Sequence, residues 1–134
     1  MNQELFDQGL ATRKAVLGDA YVERSLAGAD EFSLPMQELV TQYCWGDVWN
    51  RPGLEKAQRS LINLAMISAL NRPHELKVHV RGAIRNGVTK EQIQEVFLQV
   101  AIYCGAPAGL ESFRLAREVF AELDAEQQAA GEPA

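Results

Sequence analysis

The stretch from Thr89 to Cys104 constrains the fold more than any other part of the chain. Thr89 and Gln92 stand at the spacing of a capping box, in which each side chain satisfies a backbone N–H that the first helical turn leaves open. Behind them Ile93, Val96, Phe97, Val100, Ala101 and Cys104 recur at steps of three and four, and Gly105-Ala106-Pro107 stops the pattern. A helix with so distinct an apolar face must be covered by other elements. The rest of the chain offers only helices, because no convincing run of period-two alternation occurs.

The punctuation predicts an all-α fold of six to seven helices. A first amphipathic segment runs from about Glu4 to Val16, and Asp19 reads as the N-cap of a short helix ending near Gly28. Ser33 reads as a cap with Pro35 in the first turn of a helix running towards Trp49. After Arg51-Pro52-Gly53, residues Leu54 to Leu70 form a helix that is apolar nearly all round in its second half, and burial on most sides, either centrally or at a subunit contact, is expected. Pro73 opens the next helix, and Gly87 closes it as a left-handed residue. The last helix carries Leu110, Phe113, Leu115, Val119 and Leu123, with a frayed tail expected after about Asp124.

A chain of 134 residues is one domain's length and can bury roughly two-thirds of its extended surface. The opening residues lack a basic and an apolar signal region, and Leu61 to Leu70 is too short to span a bilayer, so a cytoplasmic location without membrane contact is expected. A net charge of −5 argues against nucleic acid as a partner. Two cysteines, Cys44 and Cys104, without Cys-x-x-Cys, fit a reduced compartment.

Among side chains that carry chemistry, His79 comes first. Glu75 lies four positions before it, so a carboxylate can reach the imidazole, orient it and favour its charged form, as suits a proton donor. An ordinary surface Glu–His pair has the same spacing, and both readings stand at this point. His74 and His79 are five residues apart, about 140° around a helix, so they cannot share one metal ion, and no metal site is expected. Glycine-rich phosphate loops and nucleophile-elbow motifs are absent.

Cys104, at a helix C-terminus, reads as a packing residue, since the dipole there disfavours a thiolate. Tyr43, Trp45 and Trp49 cluster before Arg51 and are either core or the wall of an apolar pocket. Lys77, Arg81 and Arg85 form a solvated face by their spacing, whereas Arg51 and Arg72, on turns, are the better candidates for holding an anion.

Together, Trp45-Gly46-Asp47-Val48-Trp49-Asn50-Arg51-Pro52-Gly53-Leu54 and Asn71-Arg72-Pro73-His74-Glu75-Leu76-Lys77-Val78-His79-Val80-Arg81 resemble the carboxymuconolactone decarboxylase family. Asn86-Gly87-Val88-Thr89 and Ala101-Ile102-Tyr103-Cys104-Gly105-Ala106-Pro107-Ala108 agree with it. The first block points to the true lactone decarboxylases within the family. Its alkylhydroperoxidase-type members carry a Cys-x-x-Cys pair whose positions fall here on Arg72 and Glu75, so a thiol peroxidase mechanism lacks its reducing pair. At Arg114 the chain departs from the His of a Phe-His-Leu-Ala context found in some of these decarboxylases.

The resemblance implies an alkylhydroperoxidase D-like helical fold, a homo-oligomer that is often a hexamer, and cofactor-independent decarboxylation. The implied substrate is the anionic lactone 4-carboxymuconolactone and the product 3-oxoadipate enol-lactone, in protocatechuate degradation by the β-ketoadipate pathway. His79 and Glu75 are then the catalytic pair, and Arg51, Arg72, Trp45, Trp49 and Tyr103 are substrate-binding. A peroxidase-like or other lactone-processing enzyme of this fold and a non-catalytic helical oligomerisation module remain as alternatives.

Overall fold

The computed structural model describes residues 1–131, and every element among them is helical. Contacts gather into two compact units, Met1–Arg59 and Ser60–Ala134.

In the first unit, α1 (Gln3–Leu17) starts at Asn2, whose side chain accepts a hydrogen bond from the Leu5 N–H. Gly18, at φ 91°, makes the sharp turn into α2 (Asp19–Ala27), so Gly18 holds the N-cap position expected of Asp19, which sits in the first turn. Ser33 precedes α3 (Leu34–Leu39), but its hydroxyl accepts from the Asp30 N–H instead of capping the helix.

The helix expected to run on to Trp49 changes character at Val40. It widens to a π-helix over Val40–Asp47 and tightens to a 3₁₀ turn over Val48–Asn50. Contact with α1 accompanies the change: Gly9 and Gly46 bring the two backbones together so closely that a Cβ on Gly9 would lie 1.8 Å from the Thr41 carbonyl oxygen. Asn50 serves the irregular stretch by donating from Nδ2 to the carbonyls of Trp45 (3.2 Å) and Gly46 (3.1 Å) and accepting from the Thr12 hydroxyl (2.8 Å). The buried polar side chains nearby are likewise paired, with Arg13 Nη1 donating to Gln37 Oε1 at 2.8 Å.

The second unit holds α4 (Lys56–Leu70), α5 (Pro73–Arg85), α6 (Lys90–Cys104) and α7 (Ala106–Gly131), of which α4 begins within the first. Thr89 and Gln92 form the expected capping box, and Gly87 takes the left-handed conformation. Ile93, Phe97 and Val100 are buried; Phe97 meets Phe113 of α7 edge-on at 5.8 Å between ring centroids. Gly109 lets α7 close on Ala101 of α6.

One expectation is narrowed here and another corrected. Helix α4 buries only Ser60, Leu64 and Ser68, with Asn86 donating to the Ser60 hydroxyl, and exposes Ile62, Met66 and Leu70. An all-round apolar sequence cannot show which face the chain itself covers. Cys104, expected in the core, is exposed because the buried stripe of α6 ends one turn earlier, at Val100.

Helix α7 continues past Asp124 to Gly131 where a frayed tail was expected. Its extension is built from good helix formers and is tied to α5 by ion pairs. Lys77 reaches Glu118 (3.4 Å) and Glu122 (3.0 Å), and Arg81 reaches Glu122 (3.3 Å) and Glu126 (2.9 Å). These bases were expected on a solvated face. They instead form a ladder between helices, each rung half-exposed and worth little alone.

Candidate active site

Helix α5 carries two of the candidate residues, and a third, Arg72, caps its start. Pro73 starts it at a position where a missing N–H costs nothing, and Glu75 lies in the first turn, where a carboxylate favours the positive end of the helix dipole. One turn on, His79 is partly buried beside the Leu76, Val80 and Ala83 stripe. Burial pushes the imidazole pKa below its ordinary value, and the charge of Glu75 opposes the shift without overcoming it. Glu75 thus acts in the direction the spacing suggests, favouring the charged imidazole, but desolvation is the larger influence.

Arg72 precedes Pro73 and donates from Nη1 to the carbonyls of Leu70 (2.9 Å) and Asn71 (3.4 Å), at the end of α4. Asn71 adopts φ 56° to make this corner. Glu75 and His79 thus share one helix, and Arg72 stands at its N-cap. Tyr103, 82 % exposed, stands apart from them in an apolar groove of about 360 Å³ formed with Leu61, Ile62, Ala65 and Val96.

The remaining candidates belong to the first unit. Trp45 and Trp49 stack with centroids 4.8 Å apart and are 5 % and 4 % exposed, packed with Val16, Leu17 and Cys44. Their surroundings are core, the first of the two readings the sequence left open. Arg51 leaves the 3₁₀ turn directly after them, points to solvent, and has Asp47 4.0 Å away. Its carbonyl accepts from Arg59 Nη2 at 3.1 Å. Cys44 is half-buried, and burial raises its thiol pKa against the pull of Arg13, which makes a thiolate less accessible. Arg114 is held between Glu111 and Glu118 of its own helix, so the position is occupied by ion pairing.

Among the described residues no cluster of three or more His, Cys, Asp or Glu could hold a metal ion, and no helix is long and apolar enough to cross a membrane. The sequence reading missed Asn50, Gly9 and Gly46 as the residues that shape the Trp-Gly-Asp block. It also missed Ser60 and Ser68, although small polar residues eight apart, on one face of α4, were a visible signal.

An all-helical chain with a histidine and carboxylate on one helix behind an arginine-proline turn has a known counterpart. Residues 35–118 match the carboxymuconolactone decarboxylase family, and the chain belongs to it. It is 44 % identical over 123 residues to a nitrosuccinic acid decarboxylase of Metarhizium robertsii, covering 92 % of this chain and 86 % of that one. It is also 39 % identical over 122 residues to a 4-carboxymuconolactone decarboxylase of Acinetobacter baylyi, covering 91 % of each.

Proposed function

We propose that the chain is a cofactor-independent decarboxylase whose substrate is a small diacid with a built-in electron sink, 4-carboxymuconolactone being the first choice. The observation that carries the reading is the partly buried His79 on the same helix as Glu75, directly after Arg72, in a chain two of whose relatives, matched over nine-tenths of its length, are named as decarboxylases. In 4-carboxymuconolactone the C–CO₂⁻ bond breaks, CO₂ leaves, and the electron pair passes through the ring double bond to the lactone carbonyl oxygen. A proton must then be delivered to carbon. The substrate itself accommodates the electrons, which is why no cofactor is invoked.

His79 is the proton donor in this scheme. Desolvation lowers its pKa in the free protein, and a bound substrate with two carboxylates raises it and favours the charged, proton-donating form. Glu75 orients the ring and adds to that drive. Arg51 clamps the carboxylate that stays, with Arg72 in support. Trp45 and Trp49 serve substrate binding by anchoring the turn that presents Arg51.

Nitrosuccinate is the second reading, favoured by the identity to the Metarhizium protein. A nitro group on the carbon that loses CO₂ accepts the electron pair as the lactone carbonyl does, and this substrate too retains a second carboxylate. Incubation with each acid in turn, with CO₂ and the organic product measured, separates the readings. Turnover of carboxymuconolactone to the enol-lactone is expected; turnover of nitrosuccinate alone moves the assignment to the second reading, and release of CO₂ from neither overturns both.

The scheme includes a homo-oligomer, supported by Ile62, Met66 and Leu70 exposed along α4 and Leu98 and Ile102 along α6. Sedimentation at micromolar concentration should give a multiple of the 14.8 kDa chain mass, a hexamer being expected; a monomer at all concentrations contradicts it.

A further inference from the structure

The N-terminal ends of α5 and α7 come to one cavity of about 340 Å³ within the second unit. Arg72 and Pro73 line it from the start of α5, Pro107 and Ala108 from the start of α7, and Ser68 and Leu76 form part of its wall. First-turn N–H groups have no partner within their own helix, and no side chain caps α5. Two helix N-termini therefore add their positive ends to the charge of Arg72 at one place.

Ser68 supplies an independent sign of a missing ligand. It is 5 % exposed, and its hydroxyl oxygen is buried without a hydrogen-bond partner. Such a group costs stability unless something at the site completes it. Ser112, on the opposite wall, differs: its hydroxyl donates to the Ala108 carbonyl at 2.8 Å. Glu111 brings a negative charge to the lining, but Arg114 holds that carboxylate through Nε at 2.9 Å and offsets it.

We infer that this cavity is a binding site for a small carboxylate, held by the first-turn N–H groups of α5 and α7, the Arg72 guanidinium and the Ser68 hydroxyl. Arg72 Nη1 is engaged with the Leu70 carbonyl, which fixes the guanidinium at the mouth and leaves its other donors for the ligand. The volume suits a diacid of a few carbons. A decarboxylase acting on diacids meets this chemistry in its substrate and again in its product, so the site bears on the reading above while resting on its own geometry.

Succinate, which has no electron sink and cannot react, is the probe. Titrated into the full-length protein at low salt, it should shift the backbone amide resonances of Glu75 and Ala108. Ser68→Ala should weaken binding about tenfold, the effect of losing one hydrogen bond to a charged group, while melting no lower than wild type because it also removes an unsatisfied hydroxyl. Glu111→Gln should tighten binding by removing the one opposing charge. Absence of succinate binding overturns the inference, as does wild-type affinity in Ser68→Ala with shifts confined to other regions. A rate assay then distinguishes the sources: competitive inhibition means the cavity holds a carboxylate of the substrate, and an unaffected rate with succinate bound means a separate anion. Both outcomes support the site. Because binding is read without turnover, a protein that fails to decarboxylate either acid can still pass or fail this test.

Discussion

Replacing His79 with glutamine is expected to lower kcat by roughly 10²–10⁴ while leaving the protein folded, because glutamine keeps similar volume and some hydrogen bonding but cannot deliver a proton. The pH dependence gives the sign. With His79 as the acid, the rate of the wild-type enzyme falls as pH rises through the imidazole pKa of the complex. Glu75→Gln removes the charge that raises this pKa, so its rate should fall at lower pH, with a milder loss at the optimum.

The free protein shows the same group through its stability. Its folded pKa lies below the ordinary value of about 6.5, so as pH falls the unfolded chain takes up the proton first. Stability present above about 6.5 is lost progressively below it, until the folded imidazole is protonated too, and His79→Gln should flatten that part of the curve. A folded His79→Gln variant that decarboxylates at the wild-type rate across the range would falsify the assignment and move the search for the acid to Tyr103 or a bound water.

Gly9→Ala should produce the largest loss of stability. Its Cβ would lie 1.8 Å from the Thr41 carbonyl oxygen and 2.8 Å from the Gly46 nitrogen, both backbone atoms that no rotamer change can move. Overpacking ordinarily costs about 1–3 kcal/mol, and a clash with main chain on both sides belongs at or above the top of that range. For a chain of this size that is about 10 °C or more in Tm. Gly53→Ala is the control, since nothing lies within 4 Å of its added methyl group. It should be neutral or slightly stabilising. Equal melting temperatures for the two variants would show that α1 and the π-helix are not in the close contact described.

Much of the helical layout follows from local chemistry. Thr89 and Gln92 cap α6, Pro73 starts α5 and Gly87 ends it, because caps, prolines and left-handed glycines act through a residue's immediate neighbours and need no knowledge of the rest of the chain. The pairing of Glu75 with His79 was legible for the same reason, four residues being one helical turn. The direction of the imidazole pKa shift was not. It depends on how much of the imidazole the remaining chain covers, and burial outweighed the one neighbouring charge that the spacing revealed.

Other features became visible only once distant segments met. The Trp-Gly-Asp block reads as an ordinary helix end, yet contact with Gly9 accompanies its widening into a π-helix and leaves Asn50 to satisfy two of its carbonyls. Helix α4 is apolar enough that any of its faces could have been the buried one; packing within the chain selected the stripe of Ser60, Leu64 and Ser68 and left Ile62, Met66 and Leu70 outside. Lys77 and Arg81 looked like solvent-facing bases until α7 placed three glutamates opposite them. The sequence by itself determined where helices begin and end, because those signals are energies of a few neighbouring residues. Tertiary structure decided which faces are covered, which charges are paired and in which direction a partly buried histidine shifts, because those energies depend on groups that only folding brings together.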